Sequence, residues 1–289
     1  MPRGLDHVVH VVRDLDMAGE VYDLLGFSVG ARNRHPWGTQ NRIVQAHGFF
    51  IELLEVSEPD LVPEPDESHF SFGAFNRDFL ARNGQGLSML AFESLDPAAD
   101  KAQFDAAGLG GFEVSDFSRK PRRPEGAEAE VSFSLAFARD PAVPDVGFFS
   151  SLQHKPENFW NPDLQRHANG VTELSSVIAV AERPADHVAL FEVLAGVTAM
   201  RAVDGWYIAS TPRGRIEIMT RALFEQRYGG PAPAGTGLRL AALCFCVPGI
   251  TSMRRGLAAR RMIEEKIQGL IVVPPSACMG ATLAFDRTE

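Results

Sequence analysis

The amino-acid sequence predicts an α+β protein built from four β-α-β-β-β modules. Apolar stretches rich in β-branched residues recur in one order, each leading stretch precedes a helical pattern, and turn residues separate the strands that follow. The leading stretches begin near Leu5, Leu87, Val171 and Leu238, at intervals of roughly 65 to 85 residues, which suit a small α+β module better than a solenoid repeat. Four modules of this kind indicate two pairs.

The first module shows these signals most clearly. Its leading stretch, "GLDHVVHVV", is typical of a strand, and "DLDMAGEVYDLLGF" places Met17, Val21, Leu24 and Leu25 at helical spacing before a C-capping Gly26. The stretch "GFFIELLEV" closes the module as a further strand. The module therefore contains one helix between its leading strand and the strands that complete it.

The later modules repeat this order. They begin at "GLSMLAFES", "GVTELSSVIAV" and "LRLAALCFCVPG", and a helical stretch follows each of them. Segments 57–85 and 155–170 are rich in Pro, Asn and Asp, and we interpret them as connectors between modules. The charged segment "RKPRRPEGAE" at 119–128 is typical of an exposed, mobile loop.

Composition limits the classes of partner. The 289 residues are 45% hydrophobic and 22% charged, as in a globular protein, and the net charge of −9 comes without a basic stripe. This pattern argues against nucleic acid and membrane surfaces as partners and favours a small molecule. No apolar run reaches the roughly 18 residues of a membrane span and no signal-peptide pattern is found, so we expect a cytoplasmic protein. The three cysteines lack C-x-x-C spacing, which indicates core packing and neither disulfides nor a zinc site.

Two strands carry side chains suited to chemistry. Because strand side chains alternate, His7 shares a face with Leu5 and Val9, whereas His10 lies on the opposite face, so only one of the two histidines serves an inward-facing site. Glu52 lies in the middle of an apolar strand, where a carboxylate is costly unless it is paired or bound to a metal.

The stretches "LDHVVHVVRDLDMAGEVYDLLGF", "RHPWGTQN" and "FFIELLEV" resemble the glyoxalase-like branch of the vicinal oxygen chelate superfamily, which includes glyoxalases, bleomycin resistance proteins and extradiol dioxygenases. The resemblance implies that modules pair into two incomplete barrels, the first over residues 1–165 and the second over 166–289. It also implies one divalent metal ion, such as Zn, Fe, Mn or Ni, in the first barrel, with His7 and Glu52 as ligands.

The second module departs from the family pattern. Alignment of the modules places Met89 opposite His7 and Ser151 opposite Glu52, so the resemblance does not extend to the four-ligand site of glyoxalase I. His154 is the candidate third ligand, although a bulge is needed to turn it inward, and Gln153 is its substitute. A His-Glu-His set leaves metal positions open for substrate oxygens.

The segment "RNRHPWGTQN" is a second cluster of candidate residues. His35, Trp37, Thr39 and Asn41 suit the mouth of a pocket, and Arg34, with Arg32 and Arg42, suits a substrate carboxylate or phosphate. The alternative is a surface loop in which Thr and Asn cap turns. For proton transfer, Glu52 or His35 is the candidate base.

The second pair of modules lacks a clear site. Module three has Glu173 and Glu217 near the two ligand positions, and module four has Leu240 and Ala284. An extradiol dioxygenase requires two histidines and a glutamate there, so we expect a degenerate barrel that buries surface or forms an interface, for instance in a homodimer.

The leading hypothesis is a metal-dependent vicinal-oxygen-chelate enzyme, of lyase, isomerase or dioxygenase type, that acts on a small oxygenated metabolite. The alternative is a non-catalytic small-molecule-binding protein of the antibiotic-resistance type, which needs no metal. A structural or regulatory oligomer without a ligand is the third hypothesis. Stoichiometric metal distinguishes the first two, and a deep polar cavity between the first two modules contradicts the third.

Overall fold

Two curled sheets, each of eight strands, organise the computed structural model, which describes residues 1–119, 130–260, 262, 264–267 and 269–287. The predicted α+β class, with four paired modules in two half-barrels, is confirmed. The charged segment predicted to be a loop lies outside the described residues, apart from its first residue, Arg119, which ends a strand.

The first sheet contains modules one and two. Module one consists of β1 (Leu5–Val11), α1 (Leu15–Leu24), β2 (Asn33–Arg34), β3 (Thr39–Ala46) and β4 (Phe49–Val56). Module two consists of β5 (Gly86–Glu93), α3 (Pro97–Ala106), β6 (Ser115–Arg119), β7 (Val131–Ala138) and β8 (Gly147–Gln153), with α2 (Phe72–Asn83) between the two modules. The strand order is β2-β3-β4-β1-β5-β8-β7-β6, so the leading strands β1 and β5 pair at the centre.

The second sheet repeats this plan. Module three consists of β9 (Glu173–Val180), α5 (Val188–Ala195), β10 (Arg201–Val203), β11 (Trp206–Ser210) and β12 (Arg215–Met219), followed by α6 (Arg221–Tyr228). Module four consists of β13 (Arg239–Val247), α7 (Ile250–Ala259), β14 (Glu264–Ile267), β15 (Leu270–Val273) and β16 (Thr282–Arg287). The order β10-β11-β12-β9-β13-β16-β15-β14 matches the first sheet strand for strand.

Both predicted connectors contain helices. Segment 57–85 holds a 3₁₀ turn at Pro59–Leu61 and the three-turn helix α2, and segment 155–170 holds the single-turn α4 (Pro156–Phe159). The Ser71 hydroxyl caps α2 by accepting a hydrogen bond from the Ala74 amide. The residues that α2 buries include Gly73 and Asn76, which an apolar pattern does not reveal.

One hydrophobic core joins the two halves of the molecule. Its buried members come from both sheets and from the helices between them, and they include Val8, Phe92, Phe191 and Phe285. Arg3, only 5% exposed, adds polar contacts between the halves: its guanidinium donates to the carbonyls of Val193 and Leu194 in the second half at 3.0 and 3.1 Å. Asp100 Oδ1 in the first half holds the same guanidinium at 2.7 Å. The sheets divide the chain between β8 and β9, and the division into domains 1–165 and 166–289 stays a prediction.

His10 belongs to this junction, as strand alternation predicted when it placed the side chain away from the inward-facing site. Its Nδ1 accepts a hydrogen bond from the Tyr22 hydroxyl of α1 at 2.9 Å, and its Nε2 donates to the Met279 carbonyl of the second half at 3.0 Å. Complete burial lowers the pKa of His10 from 6.5 to about 4.

In the described ranges, no helix is both long and apolar enough to cross a membrane.

Candidate functional site

A cavity of about 290 Å³ lies on the concave side of the first sheet. Of the predicted site residues, five line it: His7, His35, Trp37, Asn41 and Glu52. The other described lining residues are mostly aromatic, with a few polar groups: Ile43, Phe50, Pro63, Phe70, Ser71, Phe72, Gly73, Ser115, Asp116, Phe117, Phe133, Leu135, Phe137, Phe149, Ser151 and Phe159. The cavity therefore has apolar walls and a small number of hydrogen-bonding groups.

His7 is held by a carboxylate that belongs to the residue before it, Asp6. Its Nδ1 lies 2.6 Å from Asp6 Oδ2, and its ring stacks on Phe50 with the centroids 4.2 Å apart. Asp6 is 3% exposed and also accepts a hydrogen bond from Gln153 Nε2 at 3.1 Å. A carboxylate at Nδ1 retains the proton there, so the neutral ring presents an unprotonated Nε2.

A bulge explains how Asp6 reaches His7. Consecutive residues of a regular strand point to opposite faces, but the pairing of β1 with β5 shifts register between Leu5 and His7. Asp6 is the residue in this shift, and the shift brings its carboxylate beside the next side chain. The only signal in the sequence is the Asp-His pair itself, which is too common to indicate the contact.

Glu52 lies at the end of a chain of hydrogen bonds that begins in the segment "RHPWGTQN". Asn41 Nδ2 donates to Glu52 Oε1 at 2.6 Å and lies 3.3 Å from His35 Nε2, while His35 Nδ1 lies 2.8 Å from Thr39 Oγ1. The His35 ring stacks on Trp37 with the centroids 4.9 Å apart. Thr39 is buried behind the lining residues, so it positions His35 and does not face the cavity.

His154 does not join His7 and Glu52. It is exposed, and its Nε2 lies 2.7 Å from the hydroxyl of Ser134, which also hydrogen-bonds to Asp116. The pairing of β7 with β8 is regular here and provides no bulge to turn the side chain inward. The structure therefore does not bring the predicted His-Glu-His set together, and among the described residues no three His, Cys, Asp or Glu side chains gather as a metal site.

Gln153 and Arg34 also lie away from the predicted contacts. Gln153 faces Asp6 and leaves its Oε1 buried without a hydrogen-bond partner in the described part of the chain. The side chain of Arg34 is 73% exposed beside Glu58, and Arg32 and Arg42 pair with Asp16 at 2.5 and 3.0 Å. These three arginines lie outside the cavity, so none of them meets a ligand inside it.

Strand register corrects the alignment of the modules. In the first module, Val9 of β1 pairs with Glu52 of β4. The symmetry of the β1–β5 pairing relates Val9 to Ala91 in the second module, and Ala91 pairs with Phe149 of β8. The residue that corresponds to Glu52 is therefore Phe149 and not Ser151, whereas Met89 does correspond to His7. The fourth ligand position of the first half-barrel is thus occupied by a phenyl ring.

The same register places different residues at the ligand positions of the second half. In module three they are Ser176 and Glu217, so Glu173 was the wrong residue and Glu217 the right one. In module four they are Ala242 and Ala284. Glu217 is 2% exposed, and its Oε2 has no hydrogen-bond partner among the described residues.

These residues do not fit a resident divalent metal. The described lining offers two imidazoles, His7 and His35, and two carboxylates, Glu52 and Asp116, but they do not gather as a metal site. The Asn41 amide donates to Glu52 and faces Nε2 of His35, and Asp116 accepts a hydrogen bond from the Ser134 hydroxyl. Thioether and phenyl groups occupy the other two ligand positions, and catalytic metal sites keep at least three protein ligands in most zinc enzymes. The pair His7 and Glu52 is brought to one cavity as predicted, but its surroundings favour hydrogen bonding.

Two buried polar atoms in the wall have no hydrogen-bond partner among the residues that the structure describes. They are the hydroxyl oxygen of Ser151 and the indole nitrogen of Trp37. An unmade hydrogen bond at a buried group costs about 1–3 kcal/mol, so such atoms mark places where a bound molecule gains most. With the Nε2 atom of His7, they give the cavity its hydrogen-bonding groups.

Comparisons with known proteins agree with this architecture. Residues 5–195 match the glyoxalase-like domain family. A hypothetical protein from Staphylococcus aureus has a TM-score of 0.67 at 13% identity, with 99% of this chain and 100% of that chain covered. A 4-hydroxymandelate synthase variant from Streptomyces coelicolor has a TM-score of 0.61 at 13% identity, covering 99% and 92%. The Mn(II)-bound glyoxalase from Novosphingobium aromaticivorans has a TM-score of 0.55 at 14% identity, covering 99% and 83%.

A search of curated protein sequences finds no match. At these identities the structural similarities establish the fold alone, and the Mn(II) belongs to the Novosphingobium protein. The family match covers most of the chain and begins at the first residue of β1. The chain belongs to the glyoxalase-like domain family, within the vicinal oxygen chelate superfamily.

Proposed function

We propose that the protein binds a small, largely apolar, oxygenated molecule in the first half-barrel. The observation that supports this most is the composition of the cavity, in which aromatic walls enclose a few unpartnered hydrogen-bonding groups of the described chain. Ligand pockets commonly combine apolar walls with a few placed polar groups that fix orientation. A polar group of the ligand would lie near His7, Glu52 and Ser151, and its apolar body would contact the rings.

Metal dependence, the finer part of the leading hypothesis, is not what the geometry favours. The superfamily includes metal-bound members, and a divalent metal at this position would supply Lewis-acid activation of substrate oxygens. In this chain, the ligand positions of the second module carry Met89 and Phe149. The binding function therefore requires no metal.

A second candidate function is proton transfer on the bound molecule. The observation that favours it is the Asp6–His7 pair, since a carboxylate at Nδ1 sets the tautomer in which Nε2 accepts a proton. This replaces the predicted bases: the carboxylate of Glu52 is bound to Asn41, and Nε2 of His35 faces the same amide. A lyase or isomerase reaction would then use His7 as its base.

Ligand screening tests the proposed function. We expect apolar, oxygenated molecules to raise the melting temperature of the wild-type protein, since a ligand that binds only the folded state stabilises it. A Ser151→Phe variant, which fills the cavity from its wall, should lose this stabilisation. A Ser132→Phe variant, on neighbouring β7 but outside the lining, is the control. Equal stabilisation of both variants would contradict the proposal.

Two further measurements separate the candidate functions. Elemental analysis of protein purified without added metal or chelator should give well under one divalent metal per chain, and stoichiometric metal would restore the metal-dependent hypothesis. Deuterium exchange into bound diketones or hydroxyketones, followed by NMR, tests proton transfer. Exchange that disappears in His7→Gln, while binding persists, would support an enzyme.

A further inference from the structure

We infer that the ligand of the first-barrel cavity is an organic cation with a flat apolar body. The inference rests on the proposed function and adds the charge of the ligand to it. It follows from the side chains of the cavity wall, where carboxylates and aromatic rings meet without a lysine or arginine among the described residues.

The charged groups facing the cavity sum to a negative value. Glu52 and Asp116 line the cavity, Glu52 as a buried and Asp116 as an exposed residue, and Asp6 lies behind His7. Protonation of His7 would balance one of these three carboxylates, and Nε2 of His35 faces the Asn41 amide and none of the carboxylates. The cavity is therefore negative whether His7 is charged or not.

Glu52 is the strongest single determinant of this charge. It is 7% exposed, and its partner is the neutral amide of Asn41. Within the described part of the chain it forms no ion pair, in contrast to Asp16 and Asp100, which are paired with arginines. A buried carboxylate without a cation is costly, and a cationic ligand removes that cost by supplying the missing charge.

The aromatic walls favour the same class of ligand. Phe50, Phe117, Phe133 and Phe159 line the cavity together with Trp37, whose indole N–H finds no acceptor in the described ranges. Aromatic faces attract ammonium and other cations, and Trp does so most strongly. The same rings would bind a neutral body by dispersion, so the carboxylates are what select a charge.

The arginines of the segment 32–42 would select the opposite charge if they faced inward. The carboxylate of Asp16 holds Arg32 and Arg42 outside, and Arg34 extends into solvent. An anionic ligand would thus enter a cavity that offers it carboxylates and no described guanidinium or ammonium group. The structure therefore opposes carboxylate and phosphate ligands at this site.

Three isosteric probes test the inference in the full-length protein. They are 2-naphthylmethylammonium, 2-naphthylmethanol and 2-naphthoate, which share a bicyclic body and differ in charge. Isothermal titration calorimetry should give a dissociation constant for the ammonium that is about tenfold lower than for the alcohol, from the combined charge-assisted hydrogen bond and aromatic contact. The carboxylate should bind most weakly.

Matched variants assign the preference to its cause. Glu52→Gln keeps an acceptor for Asn41 and should bring the ammonium and the alcohol to similar affinities. Glu55→Gln removes the same charge from the same strand, but Glu55 faces Leu15 and Gln40 instead of the cavity, so this control should keep the preference. If Glu52→Gln does not fold, Asp116→Asn should reduce the preference in the same direction.

The outcomes separate the two proposals. Equal binding of the ammonium and the alcohol by the wild-type protein, or a preference for 2-naphthoate, overturns the charge inference and leaves the proposed function standing. A preference that Glu55→Gln removes and Glu52→Gln retains also overturns it. Failure of all three probes to bind overturns the proposed function itself.

Discussion

The imidazole of His7 owes its orientation to Asp6, so this carboxylate is the residue to change first. In Asp6→Asn a neutral amide replaces the charged acceptor, and we expect the imidazole to populate both neutral tautomers. The loss of a buried, charge-assisted hydrogen bond should also lower the free energy of unfolding by about 1–3 kcal/mol. ¹⁵N NMR of the imidazole nitrogens reads the tautomer, and chemical denaturation reads the stability.

The exposed residue Asp60 provides the control for this variant, since Asp60→Asn changes the same group on the surface. A His7 that keeps its proton on Nδ1 in Asp6→Asn would show that Asp6 does not set the tautomer. The role assigned to Nε2 as an acceptor in the cavity would then lose its basis.

His10 gives the protein a pH-dependent stability. Burial lowers its pKa from 6.5 to about 4. Between these two pH values the imidazole is protonated in the unfolded chain and neutral in the folded chain. The free energy of unfolding therefore falls as the pH is lowered from about 6.5 to about 4, by roughly 3 kcal/mol from this residue, and stays level above that range.

His10→Gln should remove this contribution, because glutamine does not titrate. Denaturant unfolding of wild type and variant at several pH values checks the expectation through the difference between the two curves, in which the titration of other groups cancels. Parallel curves across pH 4 to 6.5 would contradict it.

At the scale of the strands, register decides which residues are equivalent. The correspondence of Met89 with His7 and of Phe149 with Glu52 predicts that the double variant Met89→His/Phe149→Glu completes a four-ligand site. We expect it to bind about one Zn²⁺ or Ni²⁺ per chain, and the metal should raise its melting temperature. Metal titration with calorimetry and a thermal scan measure both effects.

The control for this design places the glutamate at position 151 instead of position 149. Met89→His/Ser151→Glu follows the alignment of the sequence motifs "GFFIEL" and "GFFSSL" instead of the strand register. It should bind the metal far more weakly. If the two double variants bind equally, the register correspondence is wrong.

The elements differ in how well their sequences predicted them. Leading strands such as β1 are buried along their whole length, so their long apolar runs are unmistakable, and the four-module order follows from them. Helix α2 was missed because it buries Gly73 and Asn76, which carry no apolar signal. The family resemblance implied that His7 and Glu52 share one cavity, and strand parity separated His7 from His10. Asp6 depends on a bulge and Phe149 on register, which are properties of strand pairing.

At the scale of the whole molecule, the two halves meet at positions with no room for larger residues. Gly280 has φ of +88°, and a Cβ atom there would lie 1.9 Å from the carbonyl oxygen of Gln85 in the first half. Gly280→Ala should therefore lower the free energy of unfolding by more than about 3 kcal/mol, since a backbone atom does not yield as a side chain does.

Gly205→Ala isolates the effect of backbone conformation. Gly205 has φ of +80°, and no described atom lies within 4 Å of the position that a Cβ atom would take there. Its substitution should therefore cost only the roughly 1–2 kcal/mol of a left-handed alanine. Thermal and chemical unfolding of both variants provide the comparison. If Gly280→Ala and Gly205→Ala lose similar amounts of unfolding free energy, the close contact between the halves at Gly280 adds nothing to the cost of the left-handed backbone conformation.

Because the two halves share one hydrophobic core, the first half produced alone would expose apolar surface. Helix α5 follows the first half-barrel in the chain, yet Phe191 of this helix packs edge-on against Phe148 of β8 with the ring centroids 5.6 Å apart. The glyoxalase-like match likewise extends to Ala195, the last residue of α5. A fragment that stops at residue 165 would leave the apolar back of its sheet open to water and would aggregate when produced alone.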